Sequence, residues 1–177
     1  AGGTVQCMFA ITPTAAIDGT DIPIVFDCDN TTPAASHSGL NTFLLSAAAT
    51  PTPDLIAIGV TPSADGVVRI PGAAGSNYFA AAAINIGGAG SVTATVDTGG
   101  KVLPVILTLC QTSGGACLSP PSTSTTATIA NNETVTYTVF AQATGEIPFN
   151  PQDNRISLRL SSGGLVRGST NVAVTTQ

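Results

Sequence analysis

The run NRISLRL at 154–160 alternates in polarity with a period of two, so Ile156, Leu158 and Leu160 share one face and Arg155, Ser157 and Arg159 the other. A helix would scatter these residues around its axis. A strand sorts them into a core face and a face for solvent or a partner. The same alternation, or a β-branched run bounded by Gly, Pro, Asn or Asp, recurs along the whole sequence, and helical periodicity is almost absent. Strands are predicted at 4–11, 22–28, 41–47, 55–60, 66–70, 77–86, 91–97, 104–111, 125–130, 134–143, 154–160 and 169–176. The alanines at 80–83 belong to a strand because Tyr78-Phe79 and Ile84-Asn85-Ile86 flank them. Many short strands with turn signals between them predict an all-β antiparallel sandwich and exclude a βαβ fold.

The prolines of TPTPD (50–54) break the strand pattern and divide the chain. Residues 1–50 are expected to form a small disulfide-stapled β segment and 51–177 the sandwich. About three strands upstream of the break are too few to bury a core of their own. That piece is expected to dock on the sandwich, the alternative being completion by a strand from another molecule.

Composition narrows function. Only 8% of residues are charged, against about 25% in an ordinary soluble domain, while 43% are hydrophobic. No apolar run reaches the roughly 18 residues of a membrane-spanning helix. The net charge is −5, and the five basic residues (Arg69, Lys101, Arg155, Arg159 and Arg167) are scattered. No basic patch exists to neutralise several phosphates, so nucleic acid is not an expected partner. Either copies of the chain cover such a sparsely charged surface, or it is a neutral surface hydrated by Ser, Thr and Asn. The opening AGGTVQC resembles a mature chain after leader removal, and four cysteines suit an oxidising compartment. A secreted protein, extracellular or on a bacterial cell surface, is expected.

Cys110 and Cys117 lie in CQTSGGACLSPP. A redox pair has two intervening residues at a helix N-terminus, and zinc needs four closely spaced N or S ligands; neither pattern is present. A disulfide across a Ser-Gly-Gly hairpin tip fits, with Cys117 opposite Cys110 and Pro120-Pro121 ending the pairing. Closing that loop stabilises by about 2–3 kcal/mol on chain-entropy grounds. Of the three possible connectivities, Cys7–Cys28 with Cys110–Cys117 keeps both loops local, and the first bridge would pin the N-terminal segment.

Other polar residues have ordinary readings. Asp18, Asp21, Asp27 and Asp29, with Asn30, offer oxygen ligands suited to calcium, but without EF-hand spacing, and turn chemistry explains them as well. His37, the only histidine, reads as a solvated loop residue. Glu133 and Glu146, the only glutamates, fall at a hairpin turn and a strand end, giving no reason for a glycosidase pair. Tyr78 and Tyr137 lie within strands, and no tryptophan is available to stack on a sugar. The sequons at Asn30 and Asn132 mark exposed turns. No enzyme activity and no cofactor is expected.

The stretch NYFAAAAINIGGAGSVTATV resembles the opening of immunoglobulin-like domains in bacterial surface proteins. With PVILTLCQTSGGACLSPP, TVTYTVFAQATGEIPFNPQDNRISLRL and GGLVRGSTNVAV, residues 50–177 are similar to a module of uncharacterised secreted proteobacterial proteins. The resemblance implies an immunoglobulin-like fold and a surface location, and no activity. A fainter likeness to chaperone–usher pilins rests on the early cysteine-bearing strand, although only six residues precede Cys7. Together these readings predict a secreted structural protein, a self-assembling subunit of a filament or surface layer. Its contacts would be β edges and apolar faces, with STNVAVTT or TVQCMFAI extending a neighbour's sheet. The alternative is a glycan- or calcium-dependent binding module using the loops DCDNTTPAASHSG and GEIPFNPQDN. Mass spectrometry of an unreduced digest is expected to return 7–28 and 110–117 cross-linked peptides; a 28–110 peptide would overturn the assignment.

Overall fold

The computed structural model describes Gln6 and residues 8–177. Among them are no helices, twelve strands and three sheets, which confirms the all-β sandwich. The first large sheet runs β3 (Leu55–Val60), β5 (Ser76–Asn85), β10 (Thr134–Ala143), β7 (Val105–Ser113) and β8 (Ala116–Cys117). The second runs β4 (Val67–Ile70), β12 (Leu165–Thr176), β11 (Arg155–Ser162), β6 (Gly90–Asp97) and β9 (Ser124–Ile129). Every pairing is antiparallel except β4 alongside β12. In space β3-β5-β10-β7 matches the four-stranded sheet of an immunoglobulin domain, and β6-β11-β12 the sheet facing it. The connection differs: β9, beside β6, follows β7 in the chain instead of preceding it.

The alternation read from sequence decides which side each strand buries. Phe79, Ala81 and Ala83 of β5, and Val135, Tyr137, Val139, Ala141 and Ala143 of β10, point inward. They share one core with Ile156, Leu158 and Leu160 of β11 and Val172 and Val174 of β12. Sheets joined in this way gain about 25 cal/mol per Å² of apolar area buried. At the seam β12 crosses close to β3. The register of β11 and β12 slips between Leu160↔Gly168 and Ser161↔Val166, leaving Arg167 as an extra residue. A Cβ on Gly168 would lie 2.3 Å from the Leu55 carbonyl oxygen, so only glycine lets the strands meet.

Two hairpins turn on Gly-Gly pairs with positive φ, Gly114-Gly115 between β7 and β8 and Gly163-Gly164 between β11 and β12. Two left-handed residues in a row make the turn whose twist matches the flanking strands. The Cys110–Cys117 disulfide closes the first hairpin, with Cα atoms 5.6 Å apart. Cys117 pairs with Thr112, not Cys110, so the bridge runs diagonally across the ladder. Cys7 lies outside the described residues, and with it the Cys7–Cys28 pairing.

The N-terminal part departs furthest from expectation. Residues 17–21, outside every predicted strand, are strand: β1 (Ile17–Pro23) pairs with β2 (Thr42–Ala47) in a sheet of their own. The run 24–28, read as strand, is irregular and exposed, and Cys28 sits there rather than on a strand. No core faces these residues, so their β propensity has nothing to bury against. The segment expected at 4–11 lies partly outside the described residues, and Met8, Phe9 and Ile11 are exposed outside any strand. STNVAVTT cannot extend a neighbour's sheet, because it forms the buried length of β12 between β4 and β11. The N-terminal piece docks on the sandwich: Asn171 Nδ2 donates to the Ser38 carbonyl at 2.5 Å, and Ser38 and Ser169 hydroxyls meet at 3.4 Å.

Asn85 ties the end of the sandwich together from a fully buried position. Its Oδ1 accepts from the backbone N–H groups of Asp54 and Gly87, and its Nδ2 faces the carbonyls of Gly88, Ile129 and Ala130. It thereby joins the Pro51–Asp54 entry, the β5–β6 turn and the β9–β10 turn. Asn85→Ala strands these buried backbone groups and is expected to cost about 3 kcal/mol, read as a lower denaturant midpoint with an unchanged slope.

Candidate functional site

Two surfaces stand out, one polar and one apolar. The polar one is a cleft of about 500 Å³ where the N-terminal segment meets the outer face of β11 and β12. One wall is the loop at Ser36, His37 and Ser38, held in shape by Asn41, which accepts from the His37 N–H and donates to the Ala35 carbonyl. The floor is the polar face of NRISLRL, Arg155, Ser157 and Arg159, with Asn171 of β12 beside it. The far wall is the turn Thr98–Lys101 after β6, and Asp153 closes the rim. Asp153 reaches it because the loop before β11 is anchored at both ends. Ile147 is buried in the core, and Asn154 Nδ2 donates to the Pro148 carbonyl at 2.8 Å.

The electrostatics are uneven. Three of the five basic residues of a chain with net charge −5 line this cleft. Arg159 grips Asp97 through Nε at 2.5 Å and Nη2 at 3.3 Å, and Lys101 lies 3.9 Å from Asp153. Arg155 is different. Its Nε donates to Asn171 Oδ1 at 2.5 Å and its Nη1 to the Pro151 carbonyl at 2.6 Å, and among the described residues no carboxylate pairs with it. Burial pulls its pKa below the ordinary arginine value. Asn171 also holds the Ser38 carbonyl, so one amide links the guanidinium to the docked loop. His37 is half-buried rather than solvated, and its pKa is lowered, first by burial and then by the positive charge of Arg155, with Asp153 opposing.

The cleft unites parts of the two loops expected to bind, Ser36–Ser38 of DCDNTTPAASHSG and Asp153 of GEIPFNPQDN. Their meeting depends on contacts across 131 and 133 residues of sequence, which local patterns do not reveal. Lys101, Asp97 and Asn171 carry no local sequence signal of a site. The available signal was the pair of arginines on the polar face of β11.

The apolar surface is the outer face of the first sheet. The strands β3, β5, β7 and β10 contain no Asp, Glu, Lys or Arg. Ile56, Ile58, Val60, Tyr78 and Ile106 are exposed there, Ile58 at 64%. A shallow groove of about 430 Å³ crosses the face between Ile58, Val60, Ala80 and Ala82 on one side and Thr112, Thr136 and Thr138 on the other.

The remaining residues scatter. Asp18, Asp21, Asp27 and Asp29 are exposed on β1 and in the irregular run after it, and Asp21 accepts from the Thr42 hydroxyl. Among the described residues no three acidic, histidine or cysteine side chains gather as a metal site. Glu133 accepts from the Ala130 N–H within its turn at one end of β10, while Glu146 lies beyond the other end. The intervening strand spans about 30 Å, too far for a glycosidase pair. Tyr137 is buried in the core, where burial and then Glu133 push its pKa up to about 12. Asn30 and Asn132 are both exposed in turns.

No family model matches the chain, and no curated protein matches it. Among solved structures it is similar to the "Structure of the N-terminal domain of PorA", at 12% identity and a TM-score of 0.37, over 68% of this chain and 97% of that one. A likeness this loose assigns no function.

The lowered pKa of His37 links the docked loop to pH. The unfolded chain takes up this proton near pH 6.5 and the folded chain only at lower pH. The contribution of the neutral imidazole is complete above about pH 6.5 and is lost as pH falls through the folded-state value. Denaturant unfolding at stepped pH is expected to show a loss of stability in the wild type below that point, reduced in His37→Gln. Identical profiles would remove His37 as a titrating contact.

Proposed function

We propose that this is a secreted structural protein that assembles with copies of itself, its contact being the uncharged outer face of the β3-β5-β10-β7 sheet. That face is the observation that carries the reading. Strands about 4.8 Å apart and rising about 3.3 Å per residue make it about 20 by 30 Å. The face is Ile, Val, Tyr and Ala on β3 and β5 and mostly Thr on β10 and β7, and its extent approaches the roughly 800 Å² each partner gives to a standard interface. Without charges it presents no like-charge clash when turned against itself, so a second copy is the matching occupant. The Cys110–Cys117 disulfide supports an oxidising, extracellular setting. β12 does not enter this mechanism, since it is occupied within its own sheet.

A second reading, an extracellular binding module, is favoured by one observation, the convergence of both expected loops on the polar cleft.

Ile58→Lys places a charge on the exposed face, at its β3 edge, without touching the core. Sedimentation across a concentration series is expected to show oligomers for the wild type and monomers for the variant, with matching circular dichroism. A wild type that stays monomeric to its solubility limit would sink self-assembly.

A further inference from the structure

We propose that the cleft beside Arg155 binds an acidic sugar, with the guanidinium taking a carboxylate or sulfate and the surrounding hydroxyls taking sugar hydroxyls; this rests on the binding-module reading. The chain spends little of its charge on cations, yet three of the five meet here, and two of them already have carboxylate partners. Arg155 does not. Its Nε and one Nη1 hydrogen are engaged by Asn171 and the Pro151 carbonyl, which fix the plane of the guanidinium and leave its other donors uncommitted. A half-buried cation held rigid without a counter-ion favours an arriving anion, because its ordering has already been met within the fold. Its planar fork suits an oxyanion presenting two oxygens.

The rest of the lining selects against a bare hydrophobic acid. Ser36, Ser38, Ser157 and Thr98 contribute hydroxyls, and the cleft, at about 500 Å³, is wide enough for one or two sugar rings. Its lining includes no Phe, Tyr or Trp, so a neutral sugar would lack the broad stacking surface on which its recognition commonly depends. Charge at Arg155 therefore supplies the anchor, and Lys101, on the opposite wall and only loosely paired at 3.9 Å, adds attraction.

The test is calorimetric titration of the whole chain with a galacturonate trisaccharide, a sulfated disaccharide, the methyl-esterified galacturonate trisaccharide and inorganic sulfate. Saturable binding of one or both acidic sugars is expected, weakening with salt, with the esterified sugar and inorganic sulfate at least tenfold weaker. Which acidic sugar binds better distinguishes carboxylate from sulfate. Arg155→Gln is expected to lower affinity at least tenfold. Lys101→Gln, at an exposed position where folding is not at stake, should lower it several-fold. Equal binding of the esterified sugar, indifferent to both substitutions, would overturn the acidic ligand but keep the cleft as a sugar site. Equal binding of inorganic sulfate would reduce the site to a simple anion hole. If no sugar binds at all, this proposal falls, and the binding-module reading keeps only ligands other than these sugars.

Discussion

The two large sheets hold together because each presents a continuous apolar stripe to the other, and everything else in the molecule is placed by that contact. The stripe of β5 and β10 carries many alanines, while that of β11 carries Ile156, Leu158 and Leu160. Small side chains facing large ones let the sheets interdigitate. Once β11 commits its leucines inward, Arg155, Ser157 and Arg159 must face outward, and the floor of the polar cleft exists. The same alternation leaves β3 and β5 with an outward row of Ile, Val, Tyr and Ala. One physical rule thus produces a charged cleft on one side of the sandwich and a neutral face on the other.

Where burial enforces a pattern, the sequence announced it. The strands from β3 onward, apart from the two-residue β8, were legible to within a few residues, because each has a core side and a non-core side. The AAAA run was legible as strand from its aromatic and β-branched neighbours. Upstream of residue 50 the strand at 41–47 was legible as β2, but elsewhere this guide fails. β1 is made of Ile17, Asp18, Gly19, Thr20, Asp21, Ile22 and Pro23, a composition typical of a turn, and it is strand because β2 lies beside it. The apolar residues at 24–26 look like strand and have no sheet to join. Cys110 and Cys117 were readable as a staple, but the diagonal pairing followed from a two-residue Gly-Gly turn, shorter than the loop between the cysteines.

The site was half legible. Its loops were recognisable as loops, and the polar face of NRISLRL as a face requiring solvent or a partner. What joins them is long-range: Asn171 accepts from Arg155 and donates to the Ser38 carbonyl. Nothing in the local sequence of Asn171, inside an apolar strand, signals that role. A polar side chain in the middle of such a strand is nonetheless a reason to look for what it holds.

The position of β12 has a consequence for the order of events during folding. This strand lies between β4 and β11, pairing in parallel with the first and antiparallel with the second, although nearly a hundred residues separate it from β4 in the chain. The second sheet therefore cannot close while residues 165–176 are still missing from the growing polypeptide. Pairings across such distances form slowly, because the loop entropy is lost before the contacts are gained. A chain wired in this way keeps its second sheet open, with the inner faces of β4, β6 and β11 bare, until those residues have been made.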